Sequence, residues 1–134
     1  LKELGIEKDV VIAGYRIDDY FSMIYTFELY IMMRAGSDGT GRALREVLSM
    51  GRPAIVSDRG MLPDLVEDGR TGYVTTWDPA DLAGKMELLV SDAARRRAFG
   101  ENARNRADTE WSFHLQAKAM KSFYNSLMTM GRRA

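Results

Sequence analysis

Between Leu29 and Ser49 the chain passes without interruption from a short apolar run, Leu29-Tyr30-Ile31-Met32-Met33, through the glycine-rich stretch Gly36-Ser37-Asp38-Gly39-Thr40-Gly41, into a segment with helical spacing. The run's length, and the charge and glycine that bound it, suit a strand covered on both faces, as in a parallel sheet. From Arg42 to Met50, Leu44, Val47 and Leu48 share one helical face. Thr40 stands at the N-cap position, Gly51 just past the end and Pro53 two residues later. A strand that turns directly into a helix is the unit from which open parallel sheets are built.

The same punctuation recurs along the chain. Strands are expected near residues 9–13 (in Val10-Val11-Ile12-Ala13-Gly14), 29–33, 53–57 and 71–76. Helical spacing runs from Tyr20 to Phe27 after Asp18 and Asp19, and Asp78-Pro79 opens a helix to about Val90. A short acidic segment, Pro63 to Asp68, ends at Gly69. From Ala93 onward there is no strand signal. The helical tail 93–130 divides into 93–108 and 112–130, the second carrying Phe113, Ala117, Met120, Phe123, Tyr124, Leu127 and Met128 on one broad face. The expected class is α/β, a Rossmann-like parallel sheet with flanking helices and two C-terminal helices.

Composition removes several functions. With 134 residues, a compact chain buries roughly two thirds of the surface its unfolded form exposes, so one domain with one core is expected. Nineteen Lys and Arg balance nineteen Asp and Glu, which argues against a nucleic-acid binder and makes any phosphate recognition local. There is no Cys and only one His, so a thiolate zinc site, a cysteine nucleophile and a two-His ligand pair are excluded and no metal is expected. Absence of Cys suits a reducing cytoplasm, the expected location. His114 is read as a capping or packing residue, and Arg95 to Arg97 as a solvated helix face. The chain opens Leu1-Lys2-Glu3-Leu4-Gly5-Ile6, without initiator Met or apolar signal region, and reads as a piece of something longer.

The turn from Gly36 into the helix carries the chemistry. In an open parallel sheet it lies at the carboxyl edge, where ligands bind. Gly39 and Gly41 clear the approach, and the first-turn amides, with Thr40 and Arg42 beside them, form an anion cradle at the positive end of the helix dipole. Arg42 adds a forked donor for phosphate. Glu46 sits one turn further on, about 6 Å along the axis, where a ribose attached to a diphosphate would lie, and Asp38 stands on the other side of the cradle. The spacing suits a nucleoside diphosphate sugar.

This segment resembles the Glu-x7-Glu signature of retaining glycosyltransferases of family 4, which have the GT-B architecture; here it reads Asp38-x7-Glu46. Arg52-Pro53-Ala54-Ile55-Val56-Ser57-Asp58 resembles the family strand after the second Glu. Arg59 to Gly69 resembles the family's glycine-pair, Pro-Glu and acidic-glycine segment, with Met61 in place of the second glycine and Asp64 in place of Glu, and Thr71-Gly72-Tyr73-Val74 resembles the next strand. Order and spacing persist over roughly residues 9–90.

The resemblance implies that residues 1–134 are a single truncated C-terminal nucleotide-sugar-binding domain, half of a GT-B fold. The parent would be a hexosyltransferase-type enzyme moving sugar from a UDP- or GDP-linked donor to an acceptor hydroxyl with retention, without a metal or other cofactor. Glu46 would hold the ribose hydroxyls, Asp38 the donor sugar, and Gly39, Thr40, Gly41 and Arg42 the diphosphate; Gly14, Tyr15 and Arg16 fall where family members contact the nucleobase. The acceptor domain and the diphosphate-binding Arg and Lys are missing, so the piece is expected to be inactive alone, since half a cleft cannot position two substrates. Family sheets have the order 3-2-1-4-5-6, and the four strands here would be 3, 4, 5 and 6. Strand 9–13 would then pair with strand 29–33 directly, or a second copy would fill the gap and make a homodimer. The wide face of 112–130 would cover the missing domain, and peripheral membrane association of the parent is a further expectation. A non-catalytic α/β interaction domain is the alternative, favoured by Asp38 and Met61.

Overall fold

The computed structural model describes residues 1–34 and 41–131; the expectations for Asp38, Gly39 and Thr40 lie outside these residues. Among the described residues, after a short 3-10 helix at Lys2–Leu4, six α-helices and three strands follow in the order α1 (Tyr20–Tyr25), β1 (Tyr30–Met32), α2 (Arg42–Ser49), β2 (Ala54–Ser57), α3 (Leu62–Leu65), β3 (Gly72–Thr75), α4 (Pro79–Val90), α5 (Ala93–Glu110) and α6 (Phe113–Gly131). The strands form a parallel sheet in the order β1-β2-β3, with Ile31 opposite Ile55 and Val56 opposite Val74.

The central strand β2 explains the layers. Its residues are all buried, and successive side chains of a strand point to opposite faces. Ala54 and Val56 face a layer made by Leu44 and Leu48 of α2, Leu62 and Leu65 of α3, and Ala103 of α5. Ile55 faces the other way, onto Leu89 of α4 and Phe99 of α5. An apolar run without alternation is what two covered faces require. The expected face Leu44, Val47 and Leu48 is buried in full.

Helix α5 contributes to both layers because it passes beneath the amino edge of the sheet. It packs closely against the loop before β2 at Gly100: a Cβ there would run into the carbonyl oxygen of Gly51. Arg96, expected on a solvated face, is 18% exposed in its side chain. It pairs with Glu28 and donates to the carbonyls of Leu89 and Val90 at the end of α4, where a cation complements the helix terminus.

Three expectations are corrected. Residues 9–13 form no strand: Val11 and Ile12 are 87% and 85% exposed. β1 uses one edge on β2 and does not take residues 9–13 on the other, and an extended run with neither ladder nor covering layer gains nothing from its apolar side chains. β1 is accordingly only half-buried. Second, the N-cap of α2 is Gly41, in the left-handed conformation at φ 58°, and not Thr40. Third, α1 stops at Tyr25, whose carbonyl accepts a 2.5 Å hydrogen bond from Arg52 Nη2. The apolar side chains of α6, among them Met120, Phe123, Tyr124 and Leu127, are exposed. Among the described residues no helix is long and apolar enough to cross a membrane.

Candidate functional site

At the carboxyl end of β1 a cleft of about 580 Å³ opens between α1 and α2, lined by Tyr15, Arg16, Ile17, Tyr20, Phe21, Met32, Arg42, Ala43 and Glu46. It brings together Tyr15 and Arg16, from the loop expected at a nucleobase, with Arg42 and Glu46, expected at phosphate and ribose. Gly14 precedes them with φ 68°.

Gly41 fixes where α2 begins. Its carbonyl accepts the first helical hydrogen bond, from Arg45 N at 3.1 Å, so the backbone amides of the first turn point toward the cleft end of the helix instead of along its ladder. A Cβ at Gly41 would meet Leu65 Cδ1 at 2.7 Å, so the helix start lies against α3 and a side chain there would have to displace Leu65 as well as adopt a left-handed backbone. Among the described residues no acidic side chain occupies the first turn of α2, the place where a carboxylate would offset the positive end of the dipole.

Glu46 is the most constrained polar side chain of the cleft. Its Oε1 accepts from Arg42 Nε at 2.8 Å and its Oε2 from Tyr20 Oη at 2.7 Å, and 23% of its side chain is exposed against 82% for Arg42. Burial, the hydrogen bond to Glu46 and the negative charge of that carboxylate together push the Tyr20 phenol up to about 12, against a small opposing effect of Arg42. Tyr20 is therefore a proton-bearing donor throughout the neutral range. Tyr30 is pushed upward too, by burial and then by Glu46.

Arg16 is held at the mouth of the cleft, where Nε and Nη2 engage both carboxylate oxygens of Asp19. Tyr15 is 94% exposed and offers a free ring face, the surface on which a planar base stacks. Sequence reasoning missed Tyr20. The one available signal was its place at the head of a helix directly after the Gly14-Tyr15-Arg16 loop; nothing local links it to Glu46, 26 positions away.

A larger cleft, about 730 Å³, lies at the opposite, amino edge of the sheet and includes Arg52, Arg96, Arg97 and Arg104 with Glu28 and Glu101. Size alone does not select it: Arg96 is bound as described above, Arg104 pairs with Asp108, and no ligand-binding motif of the sequence falls there. Among the described residues no group of three His, Asp or Glu converges as metal ligands do.

Comparison with known proteins adds an independent line. The family model described as glycosyl transferases group 1 matches residues 1–106. The D-inositol 3-phosphate glycosyltransferase of Corynebacterium kroppenstedtii is 28% identical over 131 residues, covering 97% of this chain and 29% of that protein. Among solved structures, sucrose-phosphate synthase from Thermosynechococcus elongatus superposes with a TM-score of 0.77 at 22% identity, covering 96% of this chain and 33% of that one. The C-terminal domain of a glycosyl transferase group 1 family protein from Francisella tularensis superposes at 0.72 with 20% identity, over 84% of this chain and 58% of that one. The fold is thus that of GT-B glycosyltransferases, and the chain spans about a third or less of the curated relative and the synthase.

Proposed function

Because the chain belongs to the glycosyl transferases group 1 family, we propose that it forms the donor-binding side of a glycosyltransferase and holds a nucleoside diphosphate sugar in the cleft between α1 and α2. The observation that carries this is the convergence of Arg42, Glu46 and the start of α2 with Tyr15 in one cleft at the carboxyl edge. The diphosphate lies at the Gly41 end of α2, where amides, dipole and Arg42 balance its charge. Glu46 accepts from the ribose hydroxyls, Tyr15 stacks on the base, and Asp38 meets the transferred sugar.

In the parent enzyme the bond from the anomeric carbon to the diphosphate oxygen breaks. A new bond forms to an acceptor oxygen, whose proton is lost, with the anomeric configuration retained. Negative charge growing on the departing diphosphate is stabilised by donors already in place, the most productive electrostatic arrangement for such a step. The acceptor binds on a part of the parent outside this chain, so the 134 residues bind donor without transferring it.

Thermal unfolding with UDP, GDP and ADP, and with the sugars linked to each, tests the reading. At about 100 times Kd a nucleotide adds roughly 2.7 kcal/mol of stability. The shift is expected to shrink in Glu46→Ala; an equal shift in that variant would remove the site, and no shift with any nucleotide would favour the non-catalytic interaction domain.

A further inference from the structure

The cleft holds a relationship that the donor reading does not itself require. Glu46 lies on α2 and Tyr20 on α1, and they meet through a 2.7 Å hydrogen bond across 26 positions of sequence. A carboxylate offers two oxygens with about four lone-pair sites. Tyr20 takes one site on Oε2 and Arg42 one on Oε1. One site on each oxygen is left, side by side, and two adjacent acceptors match two neighbouring hydroxyls such as the 2′ and 3′ groups of ribose.

The two partners hold the carboxylate unequally. Arg42 is on the same helix, one turn back, and its side chain is largely exposed, so its grip is screened by solvent. Tyr20 comes from another element, lies edge-on to Phe21 with ring centroids 5.1 Å apart, and donates from a partly buried phenol. Its proton is retained near neutral pH, since burial and Glu46 push the phenol up to about 12.

We infer that Tyr20 is a positioning residue which, by fixing Glu46 Oε2, sets the carboxylate to discriminate ribonucleotides from 2′-deoxyribonucleotides. The inference rests on the proposed role of Glu46 toward ribose and goes beyond it. Glu46 makes the contact, and Tyr20 gives that contact its direction. A phenol that merely pinned α1 to α2 would stabilise the fold without affecting the ratio of the two affinities.

Isothermal titration calorimetry on the whole chain decides the matter, using UDP, GDP and ADP beside dUDP, dGDP and dADP at pH 7.5 or thereabouts, with Tyr20→Phe as the main variant. A hydrogen bond to a charged group corresponds to about a tenfold change in affinity, so the wild type is expected to prefer the best ribonucleotide over its deoxy counterpart by about that factor. In Tyr20→Phe the preference falls toward unity through weaker ribonucleotide binding, while deoxynucleotide affinity stays as it was. Tyr20→His keeps a ring donor with shorter reach; it is expected to give an intermediate preference and carries the test if the Phe variant does not fold. A folded variant that keeps the full wild-type preference overturns the role of Tyr20 and leaves the donor reading standing. Equal wild-type affinity for both sugars overturns the ribose role of Glu46 together with this inference. Failure of every nucleotide to bind overturns the donor reading itself, and the inference with it.

Discussion

Gly41 Cα and the Leu65 side chain meet so closely that a β-carbon on Gly41 would lie 2.7 Å from Leu65 Cδ1. The backbone at Gly41 is left-handed as well, a conformation that costs other L-residues about 1–3 kcal/mol. Gly41→Ala is therefore expected to destabilise the fold by about 2 kcal/mol in urea unfolding and to weaken the proposed nucleotide binding, because the same residue starts the helix at the cleft. In a Leu65→Ala background the cost should fall by about 1 kcal/mol. An unchanged cost there would assign the whole penalty to the backbone.

Two helical glycines give a prediction of opposite sign. Gly84, on the exposed side of α4, has nothing within 4 Å of an added Cβ, so Gly84→Ala should stabilise by about 0.5–1 kcal/mol from helix propensity alone. Gly100→Ala has the same propensity gain but drives its methyl into the Gly51 carbonyl. It should destabilise by about 1–3 kcal/mol, the usual range for overpacking. Denaturation midpoints of the two variants on either side of the wild type are the expected result.

Acid sensitivity should trace to Asp81. The backbone amide of Thr76, then Lys85 and the hydroxyls of Thr75 and Thr76, hold its carboxyl well below the usual carboxylate range; the Thr75 Oγ1 and Lys85 Nζ bonds measure 2.8 and 3.0 Å. A carboxyl whose folded-state value is depressed stabilises the fold above its unfolded value, near 4, and that contribution is lost as pH falls below it toward the folded value. Asp81→Asn should thus be less stable than the wild type at pH 7. The gap should narrow steadily from pH 5 to pH 2 in thermal melts, and a gap that stays constant would refute the assignment.

Much of the fold was legible because β2 and its neighbours obey local rules. The runs at 29–33, 53–57 and 71–76 became strands, and α2 and α4 start and stop close to their caps. The run at 9–13 has the same apolar composition and failed, since composition reports a wish for burial and not whether a paired edge is present. Thr40 was the expected start of α2 and Gly41 is the observed one; the packing of Leu65 against Gly41, far away in sequence, has no local signature. The place of Glu46 beside the helix start, where it lines the cleft, could be read from its spacing to the glycine turn. Tyr20 could not, because only the packing of α1 beside α2 brings its hydroxyl to that carboxylate. Arg96 sat within a basic run like any solvated helix face, and only the fold shows it closing the end of α4.

The course of α5 beneath the sheet bears on how the molecule opens. Phe99 belongs to one hydrophobic layer and Ala103, one turn later, to the other, so neither layer can loosen while α5 stays in register. Hydrogen exchange at the amides of β2 and mid-α5 should therefore proceed through a single shared opening. Any partner that restrained α5 at the amino edge would slow exchange beside the cleft between α1 and α2 at the other end of the sheet.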